Sequence, residues 1–488
     1  MNGLLYMNQK RKSASSPWVL DDSRVPWTSA HRDNCERQLV GCKLGQAVER
    51  LYSGAEVNPS ERQPALHMAL RASDLNDWND DWNNDQCGPE LQEQRERFLA
   101  LAEHFYRGDS HLKSLIHVGI GGSDLGPRLL SDALGPENAA VQVHFLSTLD
   151  YRKLKRLLVT LDPATTGVIV ASKSFTTEET LLQAREIFAW LGDHAAKQAW
   201  AATARADRAL AFGFSADSIL EFPHWTGGRF SMWSSVGTAA AATMGRVRFE
   251  QLLAGAAAAD REFFEASMQS VPDQLAHRLA LLIHGLRREL ALPTLGVVAY
   301  EPRLALLGDY LQQLVMESLG KRVDLSGQAL AAPTAPLIFS GRGTDAQHAM
   351  FQAFHQGCDN HPLLLVGCLK DDQVDPLWQQ TQLAHLLGQA EAFSAGVKGR
   401  RSCEDLPGQR PVSLLMAETL TPHHLGYLLA SFEHAVFTVS VMWGINPFDQ
   451  WGVEEGKRLA RALKGKLAST SFDLEDLSQV ANLLKDSE

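Results

Sequence analysis

Two polar turns in the first half of the sequence have the composition of an anion site. The first, residues 118–127 (VGIGGSDLGP), follows an apolar run and places Ser123 after three glycines. Glycines let backbone N–H groups approach an anion, and the N-terminus of a following helix adds positive potential. A dinucleotide fingerprint fails because Asp124 stands where its third glycine is required, and no Walker A loop occurs. A tight strand-to-helix turn without a ligand remains the alternative.

The second turn is rich in hydroxyl groups. Residues 171–180 (ASKSFTTEET) also follow an apolar run and set four hydroxyls around Lys173, from Ser172, Ser174, Thr176 and Thr177. Hydroxyls and free N–H groups are good ligands for a phosphate monoester, and one lysine adds charge. The alternative is an ordinary helix start, in which a threonine caps the first turn and the two glutamates after it favour the helix dipole.

Two charged side chains suit proton transfer beside an oxyanion. Arg229 follows two glycines in residues 227–238 (GGRFSMWSSVGT), and a guanidinium stays charged and can stabilise a developing oxyanion. Glu317 lies among apolar residues in the last predicted helical turn before Gly320, with Gln313 one turn earlier on the same face. A partly buried glutamate suits a general base. The alternatives are a core arginine paired with a carboxylate and a solvent-facing glutamate.

A histidine-bearing segment follows at residues 344–357 (TDAQHAMFQAFHQG). His348, Gln352 and His355 are spaced four and three residues apart, which predicts one shared helical face. No zinc motif of the H-E-x-x-H type occurs. His355 is therefore either a proton-transfer group or a histidine packed near a helix end.

The last motif, residues 444–460 (GINPFDQWGVEEGKRLA), contains Gln450 and Lys457. Both side chains could point into a cleft. The alternative is a surface lysine beside Glu454, three residues away. The chain has no G-x-S-x-G nucleophile elbow, which argues against an α/β-hydrolase.

Alternating strand and helix patterns must position these side chains. Apolar, β-rich runs predict strands at residues 114–120, 141–148, 166–172, 294–300, 336–341 and 362–368, and a helix over 177–191. Fully apolar strands separated by helices are typical of parallel sheets covered on both faces, with ligands at the carboxyl ends of the strands. Two such blocks predict an α/β fold with two doubly wound domains and a linker between residues 245 and 273. Residues 1–100 have no strand pattern.

Composition excludes several classes of protein. The 488 residues are 45% hydrophobic and 21% charged, as in a globular protein with a sizeable core. The formal net charge of −11, without a Lys/Arg-rich block, argues against a binder of nucleic acid or anionic membrane. Six cysteines without a C-x-x-C pair are too sparse for a disulfide scaffold.

Nothing in the sequence indicates export or membrane insertion. The basic residues near the N-terminus follow the short apolar run, which is the reverse of a secretory signal. The longest apolar candidate, residues 425–448, is interrupted by Glu433 and His434, and no run reaches the ~18 residues of a membrane span. We therefore expect a soluble, cytoplasmic protein.

Together the motifs resemble the phosphoglucose isomerase family of aldose–ketose isomerases. Residues 61–71 (ERQPALHMALR) and 420–437 (LTPHHLGYLLASFEHAVF) extend the resemblance, which runs from about residue 59 to about 461. The resemblance implies a homodimer with active sites at the subunit boundary, and neither a metal nor an organic cofactor. It also implies two sugar-isomerase (SIS) domains at residues 101–255 and 256–440, a helical N-terminal segment (1–100) that packs on the larger domain and a helical C-terminal tail (441–488).

The resemblance also implies roles for individual residues. Glu317 matches the base that moves a proton between C1 and C2, and Arg229 matches the residue that stabilises the enediolate. His355 matches the residue that opens the sugar ring, and Lys457 its helper at the ring oxygen. The phosphate pocket matches Ser123, Ser172, Lys173, Ser174 and Thr177, and further substrate contacts match Gly122, Gln313 and Gln450. The sequence departs from the family at Leu319, where asparagine is usual.

The expected activity is the reversible conversion of D-glucose 6-phosphate to D-fructose 6-phosphate in glycolysis and gluconeogenesis, by ring opening and a cis-enediol. One carboxylate can take a proton from a carbon next to a carbonyl and return it to the neighbouring carbon. Two alternatives stay open. A sugar-phosphate sensor of the same fold needs the phosphate turns but not the catalytic side chains, and a related isomerase would also accept mannose 6-phosphate.

Overall fold

The computed structural model describes residues 16–72, 88–136, 139–269 and 273–467. Two compact units make up the chain, Met1–Pro447 and Phe448–Glu488. The described strands are β1 (Trp18–Asp21), β2 (Ser114–Val118), β3 (Gln142–Leu146), β4 (Thr166–Ala171), β5 (Ala199–Thr203), β6 (Ile219–Glu221), β7 (Thr294–Ala299), β8 (Leu337–Arg342), β9 (Leu363–Cys368) and β10 (Val412–Ala417).

Helices surround these strands along the described chain. They are α1 (Ser29–Gly41), α2 (Leu44–Tyr52), α3 (Gly88–Tyr106), α4 (Leu125–Leu134), α5 (Tyr151–Thr160), α6 (Glu178–Leu191), α7 (Ala195–Gln198), α8 (Ala206–Phe212), α9 (Thr238–Met244), α10 (Arg246–Ser267), α11 (Leu275–His284), α12 (Leu307–Leu319), α13 (Gly343–Ala349), α14 (Phe351–Gln356), α15 (Pro376–Ala395) and α16 (Pro422–Trp443) in the large unit, and α17 (Glu454–Leu467) in the small one.

The strands form two five-stranded sheets in which four parallel strands follow the same order. The first has the order β3-β2-β4-β5-β6 and is parallel throughout. The second has the order β1-β10-β9-β7-β8 and is parallel except for β1. In each sheet the earliest parallel strand, β2 or β7, lies between the two strands that follow it. This reversal of strand order is the switch point at which doubly wound sheets bind ligands.

The central strands are apolar along their whole length because both faces of each sheet are covered. Every residue of β4 (TGVIVA) and of β9 (LLLVGC) is buried. Ile116 and Val168 belong to one hydrophobic cluster with Ile187 of α6. The six strands and the helix that the sequence predicts are confirmed. The predicted strands do not include β5, β6 or β10. β5 is alanine-rich and β6 has three residues, so both give weak patterns, whereas β10 (VSLLMA) is as apolar as the strands that are predicted.

One expectation fails in the N-terminal segment, which is not wholly helical. The four residues of β1 pair antiparallel with β10, with Trp18 opposite Ala417. Trp18 and Leu20 are buried while the residues between and after them are half-buried. An alternation over four residues is too short to predict a strand from the sequence. The strand that pairs with β1 lies far away in the chain, so no neighbouring residues indicate the pairing either.

The predicted linker at residues 245–273 is wrong over most of its length because it contains helix α10. The predicted domain boundary at 255/256 therefore falls inside a helix. Helix α10 packs closely on α16, since a Cβ at Gly255 would lie 1.9 Å from the His423 carbonyl oxygen and a Cβ at Gly426 would lie 1.9 Å from that of Leu252. The glycines allow the two backbones to touch. An alanine-rich helix of this kind resembles a linker only in composition.

The expectation that no apolar run reaches the length of a membrane span is wrong for helix α16, which is long and apolar enough to cross a membrane by length and composition. However, 89% of its most apolar 18-residue window is buried inside the protein. It is the core helix of the large unit and carries the buried Glu433 and His434.

A buried ionic cluster joins the N-terminal segment to α10 and α16. Arg71 is fully buried and donates from Nε and Nη2 to the carboxylate of Asp260, at 2.7 and 2.6 Å. Its Nη1 donates to Glu433, and His434 Nε2 lies 2.6 Å from Asp260 Oδ1. Burial alone would raise the pKa of Asp260, but the charge and hydrogen bonds of Arg71 lower it to about 2. The cluster is therefore held together by charges that have no access to water.

We expect Arg71→Met to lower the free energy of unfolding by about 3–5 kcal/mol, because two carboxylates then remain buried without their cation. Urea denaturation at neutral pH measures the change. The control is Arg107→Met, which removes a solvent-exposed partner of Glu103 and should leave the free energy nearly unchanged. Equal effects of the two substitutions would contradict a structural role for the buried cluster.

Candidate active site

The two turns that the sequence predicts to bind an anion lie side by side. Strands β2 and β4 pair in parallel, with Val118 opposite Val170, so the chain leaves both strands at the same edge of the sheet. Residues 119–124 follow the first strand and residues 172–177 follow the second. The expectation that both turns belong to one sheet is confirmed, and their place is the switch point at β2.

The glycine turn is pressed against the segment that carries Arg229. A Cβ at Gly122 would lie 2.1 Å from the Gly228 carbonyl oxygen and 2.5 Å from the Arg229 nitrogen, so no larger residue fits. Gly121 has a φ of +58° and lies against Gln313, whose Nε2 would be 2.9 Å from a Cβ there. Glycine at these two positions therefore brings β2, Arg229 and helix α12 together.

In the hydroxyl turn, the side chains pair with one another. Ser172 Oγ lies 3.1 Å from Thr177 Oγ1 and accepts the Phe175 N–H, and Ser174 Oγ lies 2.8 Å from Thr176 Oγ1. Thr177 is the N-cap residue of α6, yet its side chain makes no capping hydrogen bond. The plain helix-cap alternative is therefore not what the structure contains. Clustered hydroxyls at a helix N-terminus suit an anion.

Lys173 connects the hydroxyl turn electrostatically to the rest of the site. Its ammonium is largely buried, and this burial lowers the pKa of Lys173. The carboxylate of Glu61 acts against this lowering, while the Arg229 charge adds to it. Two cations this close favour an anion between them.

Glu317 and Arg229 form an ion pair at the candidate site. Arg229 Nη1 lies 3.2 Å from Glu317 Oε2, and Gln313 Nε2 donates to the same oxygen at 3.0 Å. Arg229 is buried and is fixed by Nε donating to Ser318 Oγ at 2.6 Å and by Nη2 donating to the Pro447 carbonyl. The Glu317 side chain is 22% exposed, so a ligand can reach it. A carboxylate beside a fixed guanidinium can exchange a proton with a carbon acid and stabilise the resulting oxyanion.

His355 lies apart from this pair, on α14. Its Nε2–H donates to Gln389 Oε1 at 3.0 Å, and its ring stacks on Phe393 with centroids 3.8 Å apart. Gln389 and Phe393 are one turn apart on α15. The prediction of one helical face with His348 is wrong, because the helix breaks at Met350 between α13 and α14.

Gln450 and Lys457 belong to the small unit. Gln450 precedes a single 3₁₀ turn at Trp451–Val453. Lys457 on α17 donates to Glu454 Oε1 at 2.8 Å, which is the surface pair that the sequence offers as an alternative. The participation of both residues in the site stays a prediction.

One group among the described residues has the composition of a metal site. Ligand atoms of Cys35, His284 and Glu289 lie within 4.8 Å of one another. However, the indole N–H of Trp443 donates to His284 Nδ1 at 2.9 Å, so the neutral ring carries its proton on Nε2. Nε2 therefore bears a proton and has no free lone pair for a metal ion, so these three residues do not fit a metal site.

Several residues of the site are missed by sequence reasoning. Ser318 anchors Arg229, and Gln389 and Phe393 fix the His355 ring. Only the position of Ser318, directly after Glu317, is a signal that the sequence alone offers. The contacts of His355 join residues more than 30 positions apart and depend on packing.

The fold and the candidate site define a class of doubly wound α/β proteins that carry a glycine turn and a hydroxyl turn at the switch point of one sheet. The comparisons narrow this class. The family model of phosphoglucose isomerase matches residues 23–482. The chain therefore belongs to the phosphoglucose isomerase family.

Relatives and solved structures agree with this assignment. A glucose-6-phosphate isomerase of Stenotrophomonas maltophilia is 42% identical over 89% of this chain and 84% of its own length. One from Xanthomonas oryzae pv. oryzae is 43% identical over 90% and 85%. The crystal structure of a glucose-6-phosphate isomerase from Chlamydia trachomatis superposes with a TM-score of 0.83 at 28% identity, covering 97% of this chain and 93% of that one.

The geometry around His355 predicts a titration behaviour. Burial lowers the pKa of His355, and the hydrogen bond to Gln389 acts against this lowering. Gln389→Glu should raise the pKa of His355, since a carboxylate stabilises the imidazolium, and Gln389→Leu should lower it further. A histidine NMR titration of the three proteins measures both shifts. Unchanged titration of His355 in both variants would contradict the hydrogen bond.

Proposed function

We propose that the protein interconverts D-glucose 6-phosphate and D-fructose 6-phosphate. The observation that carries the proposal is the contact of three elements at one point. Glu317 and Gln313 on α12, Arg229 and the glycine turn after β2 touch one another, as the distances above give. Membership of the phosphoglucose isomerase family supports the choice of substrate.

The phosphate group would bind at the two turns. The backbone N–H groups of the glycine turn, the hydroxyls of Ser123, Ser172, Ser174 and Thr177, and the charge of Lys173 supply its ligands. The phosphate is remote from the carbons that react. Its binding free energy therefore holds the opened sugar chain in register with Glu317 rather than acting on the bonds that change.

Glu317 would act as base and acid in turn. Its carboxylate removes the proton from C2 of the open-chain aldose, and the C1 carbonyl oxygen takes up the electron pair as a cis-enediolate. The Arg229 guanidinium stabilises that oxyanion. The same carboxyl group then returns a proton to C1, a proton moves between the two oxygens, and the ketose results. A positioned base contributes roughly 10²–10⁴ in rate and one preorganised oxyanion donor roughly 10²–10³.

Ring opening needs a second proton-transfer group, which we assign to His355 with Lys457 as its helper at the ring oxygen. Within one subunit, His355 contacts Gln389 and Phe393 rather than Glu317. This separation supports a homodimer in which His355 completes the site of the partner copy. Proton transfer there depends on the fixed ring orientation that the stacking on Phe393 provides.

We expect Glu317→Gln to lower kcat about 10²–10⁴-fold, since the amide keeps the shape of the side chain but accepts no proton from carbon. Conversion of fructose 6-phosphate, coupled to glucose-6-phosphate dehydrogenase, measures the rate. Glu186→Gln is the control, because it removes an exposed partner of Lys155 and should leave kcat unchanged. Full activity of Glu317→Gln would refute the assignment. Phosphosugar binding by the wild type without turnover would favour a sensor.

The shared site can be tested by complementation. In a purified heterodimer of one Glu317→Gln and one His355→Ala subunit, one site has both lesions and the other has neither, provided His355 acts on the partner's site. Such heterodimers should recover about half of the wild-type activity per dimer, while both parent homodimers stay inactive. If His355 acts within its own subunit, each site keeps one lesion and the heterodimer should be as inactive as its parents.

A further inference from the structure

A fully buried histidine lies beneath the glycine turn and has no part in the mechanism above. His117 is the fourth residue of β2, the strand that pairs with both β3 and β4, and its side chain is fully buried. Its Nε2 lies 2.7 Å from the carbonyl oxygen of Ser123. Since a carbonyl only accepts, Nε2 must carry the proton, and the neutral ring is fixed in one tautomer.

The carbonyl group of Ser123 needs this donor for a reason that lies in the sequence. At the start of a helix, a carbonyl accepts from the N–H four residues later, as Asp124 does from Arg128. The corresponding residue for Ser123 is Pro127, which has no N–H. Ser123 also lies one residue before Asp124, the N-cap of α4, so the helix backbone gives its carbonyl no donor and His117 supplies the hydrogen bond.

The turn also folds back tightly over β2. The Ser123 N–H donates to the Ile120 carbonyl at 3.2 Å, and that of Gly119 donates to Leu146 at 3.1 Å. A Cβ at Gly119 would lie 2.4 Å from the Ser123 carbonyl oxygen. The direction of this carbonyl therefore sets the direction of the whole peptide, and with it the Ser123 hydroxyl and the neighbouring N–H groups.

We propose that His117 is a positioning residue for the phosphate turn: its Nε2–H holds the Ser123 carbonyl so that the turn presents its hydroxyl and N–H groups to a phosphate monoester. The assignment of phosphate to this turn rests on the proposed function. The reacting end of the site has anchors of its own, because Arg229 is also held by Ser318 and Pro447.

The test compares two substitutions at this position. His117→Leu removes the donor, while His117→Gln keeps a donor nitrogen at nearly the position of Nε2. We expect His117→Leu to raise the Kd of inorganic phosphate and the KM of fructose 6-phosphate about 10-fold, with kcat changed less than about twofold. His117→Gln should restore both to near wild type. Calorimetry measures the Kd, and the coupled assay measures KM and kcat.

His144→Leu is the matched control. His144 is a half-buried histidine on the neighbouring strand β3, directly before Phe145, which pairs with His117. Successive residues of a strand point to opposite faces, so His144 faces away from His117. Its replacement should leave Kd and KM unchanged. If His144→Leu raised Kd and KM as much as His117→Leu does, the effect would reflect the general stability of the sheet, and the proposal would be overturned.

Two further outcomes would also overturn it. One is an unchanged Kd for phosphate in His117→Leu, and the other is equal loss in the Leu and Gln variants. Should His117→Leu not fold, histidine ¹⁵N NMR of the wild type, assigned with His117→Gln, decides whether the proton lies on Nε2 as required or on Nδ1. Because phosphate binding is measured without turnover, a wild type that binds phosphate but isomerises nothing would refute the proposed function and leave this inference intact.

Discussion

The ion pairing of the buried Arg71 guanidinium with Asp260 and Glu433 is the interaction on which the rest of the structure depends. The buried charge is tolerated only because Asp260 and Glu433 surround it, and those two carboxylates belong to the two helices that form the centre of the large unit. Glu433 in turn accepts from Trp233 at 2.9 Å and from Tyr310 at 3.4 Å. Trp233 lies four residues after Arg229, and Tyr310 lies two helical turns before Glu317. One cluster of charges thus fixes both sides of the ion pair between Arg229 and Glu317.

The four parallel strands follow the same order in both sheets, but the residues at the two switch points differ. After β2 the chain continues with glycines and hydroxyls, which leave N–H groups and space for an anion. After β7 it continues with the buried Glu301, which accepts from Arg303 at 2.8 Å, while Arg303 also pairs with Asp371 at 2.9 Å. An ion pair fills the corner of the second sheet where the first can hold a ligand. The residues of the turn, rather than the fold, decide which corner is a site.

Close contact between backbones also positions the elements of the candidate site. The contact of Gly122 with Gly228 joins the glycine turn to Arg229. In the same way, Gly255 and Gly426 allow α10 to pack against α16, and these two helices carry the carboxylates that surround Arg71. Side chains at these positions would separate the elements. The distance between the glycine turn and Glu317 is therefore set by positions that have no side chain at all.

The sequence alone determined the strands β2, β3, β4, β7, β8 and β9, helix α6 and the two polar turns, because apolar runs and turn chemistry leave local patterns. It also predicted Arg229 and Glu317 as site residues. Tertiary structure alone decided the rest. It placed β1 beside β10, made a helix of the predicted linker, broke the helix between His348 and His355, and paired Arg71 with Asp260, 189 residues away. It also set His117 under Ser123. Such contacts depend on how elements pack, and a buried polar group gives no local sign of the partner that makes its burial possible.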